Sequence, residues 1–189
     1  SDAPDGRRRM GLLADQMRAS GLDKAAIQVL AISGGGENGA YGAGLLCGWS
    51  ELGTRPTFNV VTGVSTGALT APFAFLGSDY DEQLKTCYTT LSTSELVTER
   101  GLLEGLTSDA LSDPDGLREM LSTQFDEEAF RRMGEEHLKG RRLFVGTTNL
   151  DRMEASYWCL SAIAADDVPN GRALALDIII ASASIPGVF

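Results

Sequence analysis

Histidine occurs once in this 189-residue chain, at position 137. A Ser–His–Asp hydrolase would therefore have to run through His137. That residue lies in Gly134-Glu135-Glu136-His137-Leu138-Lys139, a polar helix end where a solvated surface role is expected. Cysteine is almost as scarce. Cys47, Cys87 and Cys159 are odd in number, widely spaced and form no CxxC, which argues against a zinc or disulfide framework. This usage favours a reducing compartment but leaves export after signal removal open. No apolar run is long enough to span a bilayer, and the longest, Ala68 to Leu76, contains Pro72 and reads as a core helix. The expectation is a soluble protein, cytoplasmic or exported. Basic residues are in deficit, 16 against 26 acidic ones, for a net charge of −10. Such a field repels nucleic acid and anionic bilayers, so no nucleic-acid partner is expected, and membrane contact would be local and transient. Basic charge clusters at Arg7-Arg8-Arg9 and at Lys139 through Arg142, both read as solvated helix ends or loops. Asp166-Asp167 and Asp113-Pro114-Asp115 lack the ligand spacing of a cation loop. No metal or cofactor is expected.

The hydrophobic content of 43% is enough for one domain with a good-sized core. No internal repeat or low-complexity tract appears. Residues 7–20 read as a short amphipathic helix. Ile27 to Ile32 is a nearly continuous apolar run, the pattern of a strand buried on both faces. A helix follows over 40–52, a strand over 58–62 and a helix over 66–76. The segment from about 80 to 138 reads as mostly helical and more polar, with Asp113-Pro114 as a helix start. Strands are expected over 142–148 and 155–161, joined by a turn at 151–154. An apolar helix over 173–183 ends at Ser184-Ile185-Pro186-Gly187. Trp49, Phe73, Phe75 and Trp158 fall in apolar elements and are read as core. Leucines between 91 and 111 read as ordinary packing, with a mobile cover over the site as the other possibility. Alternation of strand and helix predicts an α/β fold with a mostly parallel sheet.

Two glycine-rich turns carry the chemistry. Gly63-Val64-Ser65-Thr66-Gly67 follows a strand-like run and opens a helix. A Gly-x-Ser-x-Gly elbow holds its serine in a strained turn, so small neighbours are needed and Gly63 and Gly67 supply them. Ser65 then lies at a helix N-terminus, where negative charge is favoured. The alternative is a tight turn with Ser65 as a helix cap. Upstream, Gly34-Gly35-Gly36-Glu37-Asn38-Gly39 also sits between strand and helix. Gly34-x-Gly36-x-x-Gly39 matches the dinucleotide fingerprint, but the next strand ends in Thr62-Gly63-Val64-Ser65, without the carboxylate that would hold a ribose. The other use of such a loop is to point backbone amides at an oxyanion.

From Val29 to Phe189 the chain resembles the patatin-like phospholipases, a family of lipid acyl hydrolases. The likeness rests on the run from Leu30 to Gly44, on Gly63 to Leu69, on Val145-Gly146-Thr147-Thr148-Asn149-Leu150 and on Ala181 to Phe189. It implies a three-layer α/β/α hydrolase domain that cleaves lipid esters through a Ser–Asp dyad. Carried over, Ser65 is the nucleophile, Gly34, Gly35 and Gly36 line the oxyanion hole, and Gly39 closes the loop onto the next helix. The family's aspartate lies in an Asp-Gly turn downstream of the Ala-Ser-x-x-Ile-Pro segment. The pairs Asp5-Gly6 and Asp115-Gly116 do not fit that place, so residues 1–189 are expected to lack the dyad aspartate and to be inactive or slow alone. A pseudoenzyme or fragment that binds lipid or a partner is the rival reading. Glu37-Asn38 also stands where the family often carries a cation, which weakens the case for anionic phospholipids.

Overall fold

The computed structural model describes residues 27–96, 114–166 and 168–184. Among the described residues four strands form one sheet in the order β1 (Val29–Ile32), β2 (Val60–Val64), β3 (Arg142–Asn149) and β4 (Glu154–Cys159). β1, β2 and β3 are parallel, and β4 returns antiparallel along β3. The helices are α1 (Gly39–Glu51), α2 (Thr66–Leu76), α3 (Asp81–Leu96), α4 (Pro114–Gln124), α5 (Glu127–Leu138), α6 (Leu160–Ala165) and α7 (Gly171–Ala183). Parallel neighbours cannot be joined by a tight turn, so the chain crosses from β1 to β2 through α1 and from β2 to β3 through α2 to α5. The result is the expected α/β/α architecture with a mostly parallel sheet. The expected helix over 7–20, Arg7-Arg8-Arg9, Asp113, most of the leucines between 91 and 111, and Ile185-Pro186-Gly187 lie outside the described residues. No described helix is long and apolar enough to cross a membrane.

α2 is apolar on every side, and every one of its residues is buried, Phe73 and Phe75 among them. It packs along β2 and β3 and against α1, α5 and α7. Such a helix can only be a central one. Its C-terminal carbonyls lack intrahelical partners and cannot reach water. Two arginines supply the donors. Arg55 reaches the Ala74 carbonyl at 3.2 Å and pairs with Asp81 at 2.7 Å. Arg141 donates to the carbonyls of Phe58 and Phe75, pairs with Glu136 at 2.7 Å, and lies 4.3 Å over the Phe75 ring. Arg141 is therefore buried, which corrects the reading of Lys139 through Arg142 as wholly solvated. A buried helix C-terminus needs donors and favours cations.

Three further readings are corrected. β1 is not buried on both faces, since Val29 is 60% exposed. Among the described residues β1 pairs only with β2, so it is an edge strand there. The last expected strand is shorter. Leu160 to Ala165 turn into α6, as the alanines favour. Trp158 is 40% exposed rather than core, and its indole N–H donates to the Thr147 hydroxyl at 2.9 Å. It stands on β4, which has β3 as its one partner among the described residues. Trp49 keeps its core role, edge-to-face on Phe58.

His137 is half-buried rather than solvated. Its Nδ1 lies 3.0 Å from the Ser161 hydroxyl, which also accepts the Leu143 N–H at 3.1 Å. Burial, then the Arg142 charge, pull its pKa below the ordinary value, with Asp166 opposing. The unfolded chain therefore binds the proton more readily. Stability from this group is complete above an ordinary histidine pKa of about 6.5 and is lost as pH falls below it, until the folded value is passed. His137→Gln should make the melting temperature less sensitive to pH between about 7 and 5. Equal pH slopes for the two proteins would contradict this.

Candidate active site

β2 ends at Val64 and α2 begins at Thr66, so the direction of the chain reverses within Ser65. Its backbone takes φ 54 and ψ −130. A side-chain-bearing residue held at such angles costs on the order of 1–3 kcal/mol and persists only when its surroundings fix it. Those surroundings are tight. A methyl at Gly63 would lie 2.4 Å from the Gly67 carbonyl oxygen. One at Gly67 would lie 2.5 Å from the Ile32 oxygen and 2.7 Å from that of Ser33. Both glycines thus permit the close approach of strands and helix that the motif predicts.

The upstream loop closes onto the same serine. A methyl at Gly34 would sit 2.8 Å from Ser65 Cβ and 3.4 Å from Ser65 Oγ. Gly36 has φ 54 and starts a single 3-10 turn, Gly36–Asn38, closed by the Asn38 N–H on the Gly35 carbonyl at 3.0 Å. Gly39 opens α1 where a methyl would meet the Tyr88 hydroxyl at 2.8 Å and Thr66 Cβ at 3.0 Å. Close contact demands glycine at 34 and 39, and backbone conformation demands it at 36. Outside the regular ladders, no hydrogen bond among the described residues takes up the N–H of Gly34 or Gly35.

Two supporting residues went unread in the sequence. Tyr88, on α3, sets its hydroxyl 2.8 Å from Thr70 Oγ1 and donates to the Thr66 carbonyl at 3.0 Å, pinning the first turn of α2. Burial raises the pKa of that phenol. Ser182, on α7, accepts the Ser65 N–H at 2.9 Å and donates to the Gly146 carbonyl at 2.6 Å. Ser182 and Gly146 fall in recognisable runs, but their link to the elbow spans 117 positions of sequence and leaves no local signal. His137 contacts Ser161, which bonds Leu143 three residues before Gly146 on β3, and has no hydrogen bond to the elbow. No carboxylate among the described residues hydrogen-bonds Ser65 Oγ.

Beside Ser65 opens a groove of about 730 Å³ whose walls include Val64, Gly146, Leu150, Tyr157 and Ala181. Thr147, Thr148, Ser182 and Ser184 complete the lining beside these apolar walls. A larger cavity, about 930 Å³ and lined by Arg118, Phe130, Arg172 and Leu176, does not reach Ser65. Its arginines are engaged, Arg118 by Asp177 and Arg172 by Glu127 and the Phe125 carbonyl.

No curated protein and no solved structure matches the chain. The family model for patatin-like phospholipases matches residues 30–189. That span takes in the glycine loop, the serine elbow and α7, the elements that meet at Ser65. The chain belongs to the patatin-like phospholipase family, whose members act on lipids.

Proposed function

We propose that the protein hydrolyses carboxylic esters of lipids through an acyl-Ser65 intermediate. The observation that carries this reading is the contact of the Gly34 backbone with a serine held at positive φ. Ser65 Oγ bonds the ester carbonyl carbon and gives its proton to the base. The carbonyl oxygen becomes an oxyanion. Collapse breaks the bond to the alcohol, which leaves with that proton. Water, deprotonated by the same base, then attacks the acyl-serine, releases the acid and restores the hydroxyl.

The amides of Gly34, Gly35 and Gly36 receive the oxyanion, and Gly39 seats their loop against α2. Ser65 cannot serve with its own N–H, because Ser182 takes it. Losing one such donor typically costs about 10²–10³ in rate. The base is an aspartate in the family's Asp-Gly turn, following the α7 segment. Asn38 is exposed and carries no charge to meet a phosphate. Neutral or short acyl esters are turned over at least as well as anionic phospholipids. The glycine loop serves the serine and not a dinucleotide, since Gly34 is in contact with the elbow itself.

The complete protein is treated with a fluorophosphonate ester and digested, and the adduct is located by mass spectrometry. Phosphonylation of Ser65 is expected, together with kcat/KM on a neutral glyceride no lower than on phosphatidylglycerol. An unlabelled Ser65 would favour the rival reading, a non-catalytic module that binds lipid or a partner.

A further inference from the structure

We infer that Ser182 is a positioning residue for the nucleophile, its hydroxyl holding the Ser65 amide and the Gly146 carbonyl apart at the end of the β2–β3 ladder. This rests on the reading of Ser65 as nucleophile.

Val64 and Gly146 are the last paired positions of the two parallel strands. Just past them stand a donor, the Ser65 N–H, and an acceptor, the Gly146 carbonyl. In an uninterrupted ladder such groups bond directly. Here the Ser182 hydroxyl lies between them, 2.9 Å from one and 2.6 Å from the other. The amide can only donate and the carbonyl can only accept, so the hydroxyl has a single orientation that satisfies both. Ser182 is carried by α7, whose Ile178, Ile179 and Ala183 are buried in the core. The bridge therefore ties the elbow to a rigid element, and it leaves the two strand ends separated by a whole oxygen atom.

Without the hydroxyl, two outcomes are open to the strand ends. They close on each other, or they stay apart with an unpaired amide beside a strained residue. Either displaces Ser65 relative to the Gly34–Gly36 amides. A misplacement of about 1 Å in a reacting group costs about 10²-fold. Tight geometry of this kind depends on the shell behind the reacting residue.

The experiment compares fluorophosphonate labelling rates at Ser65 in the complete protein for wild type, Ser182→Ala, Ser182→Thr and Ser182→Val. Kinetics on a neutral glyceride and melting temperatures are recorded alongside. Thr and Val share a shape and differ by the hydroxyl, so this pair decides the matter even if the alanine variant does not fold. Ser161→Ala serves as the control. It deletes another serine bridge to β3, made by Ser161 of α6 between the Leu143 N–H and His137, away from the elbow.

Ser182→Ala and Ser182→Val should label about 10–100-fold more slowly and turn over the glyceride with lowered kcat at little-changed KM, with Ser182→Thr close to wild type. Ser161→Ala should melt earlier but label at the wild-type rate. Wild-type rates in Ser182→Val, or an equal slowing in Ser161→Ala, would overturn the role of Ser182 while leaving Ser65 in place. No labelling of Ser65 in the wild type would overturn the nucleophile assignment and this inference with it.

Discussion

Ser65→Ala should reduce kcat/KM for lipid esters by about 10⁴-fold or more while leaving the fold intact. Removing a nucleophile removes the covalent route, and what survives is the modest help of binding and oxyanion donors. The fold should hardly notice. Ser65 Oγ has no hydrogen-bond partner among the described residues, and the backbone contacts that fix the elbow are made by its N–H and by its glycine neighbours. Alanine keeps the Cβ that lies against Gly34. The stability change should stay within about 1 kcal/mol. The measurement is kcat/KM on a neutral glyceride beside a melting curve. Activity within tenfold of wild type would place the nucleophile elsewhere.

Gly67→Ala should lower stability and activity together. Its new methyl would meet the Ile32 oxygen at 2.5 Å, the Ser33 oxygen at 2.7 Å and the Ile32 carbonyl carbon at 2.9 Å. All three are backbone atoms, so no side chain can rotate away. Overpacking of a core typically costs about 1–3 kcal/mol, and a clash with backbone belongs at or above the top of that range. Relief requires β1 to retreat from α2. Gly34 follows Ser33 directly and would retreat with it, opening the contact with Ser65. The same substitution at Gly42 makes the contrast. A methyl there meets nothing within 4 Å, and Gly42 lies inside α1. Gly42→Ala should stabilise by about 0.5–1 kcal/mol through helix propensity. Chemical denaturation midpoints check both signs. A Gly67→Ala protein as stable and active as wild type would mean that the strand and helix are not in the contact described.

Local chemistry was readable from the residues alone. The serine elbow and the glycine loop announce themselves because their demands fall within a few positions of one another. Positive φ calls for glycine at 36, and the approach of Gly63 to the Gly67 carbonyl calls for it at 63, within a single turn each. The demands at 34, 39 and 67 come from Ser65, Thr66, Tyr88 and the Ile32 and Ser33 carbonyls, which the fold brings near. The run of Ala68 to Leu76, apolar but for Thr70, likewise states its own burial, and the alternation of apolar strands with helices states the α/β class.

What the residues could not state was whatever depended on a distant partner. Whether Trp158 is core or surface depends on what lies beyond β4, not on the tryptophan. The burial of Arg141 follows from the end of α2, where carbonyls cut off from water need a donor. His137 reads as solvated in its polar neighbourhood, yet α6 brings Ser161 to it from 24 positions away. Ser182 reads as one small residue in an alanine-serine run. Its hydroxyl gains a task because α7 returns to the ends of β2 and β3, where an amide and a carbonyl were left unpaired. The amino-acid order determined which turns could form and which segments had to be buried. Only the tertiary structure decided which polar groups meet at the elbow, because an unsatisfied backbone group is created by packing and is answered by whichever side chain packing brings near.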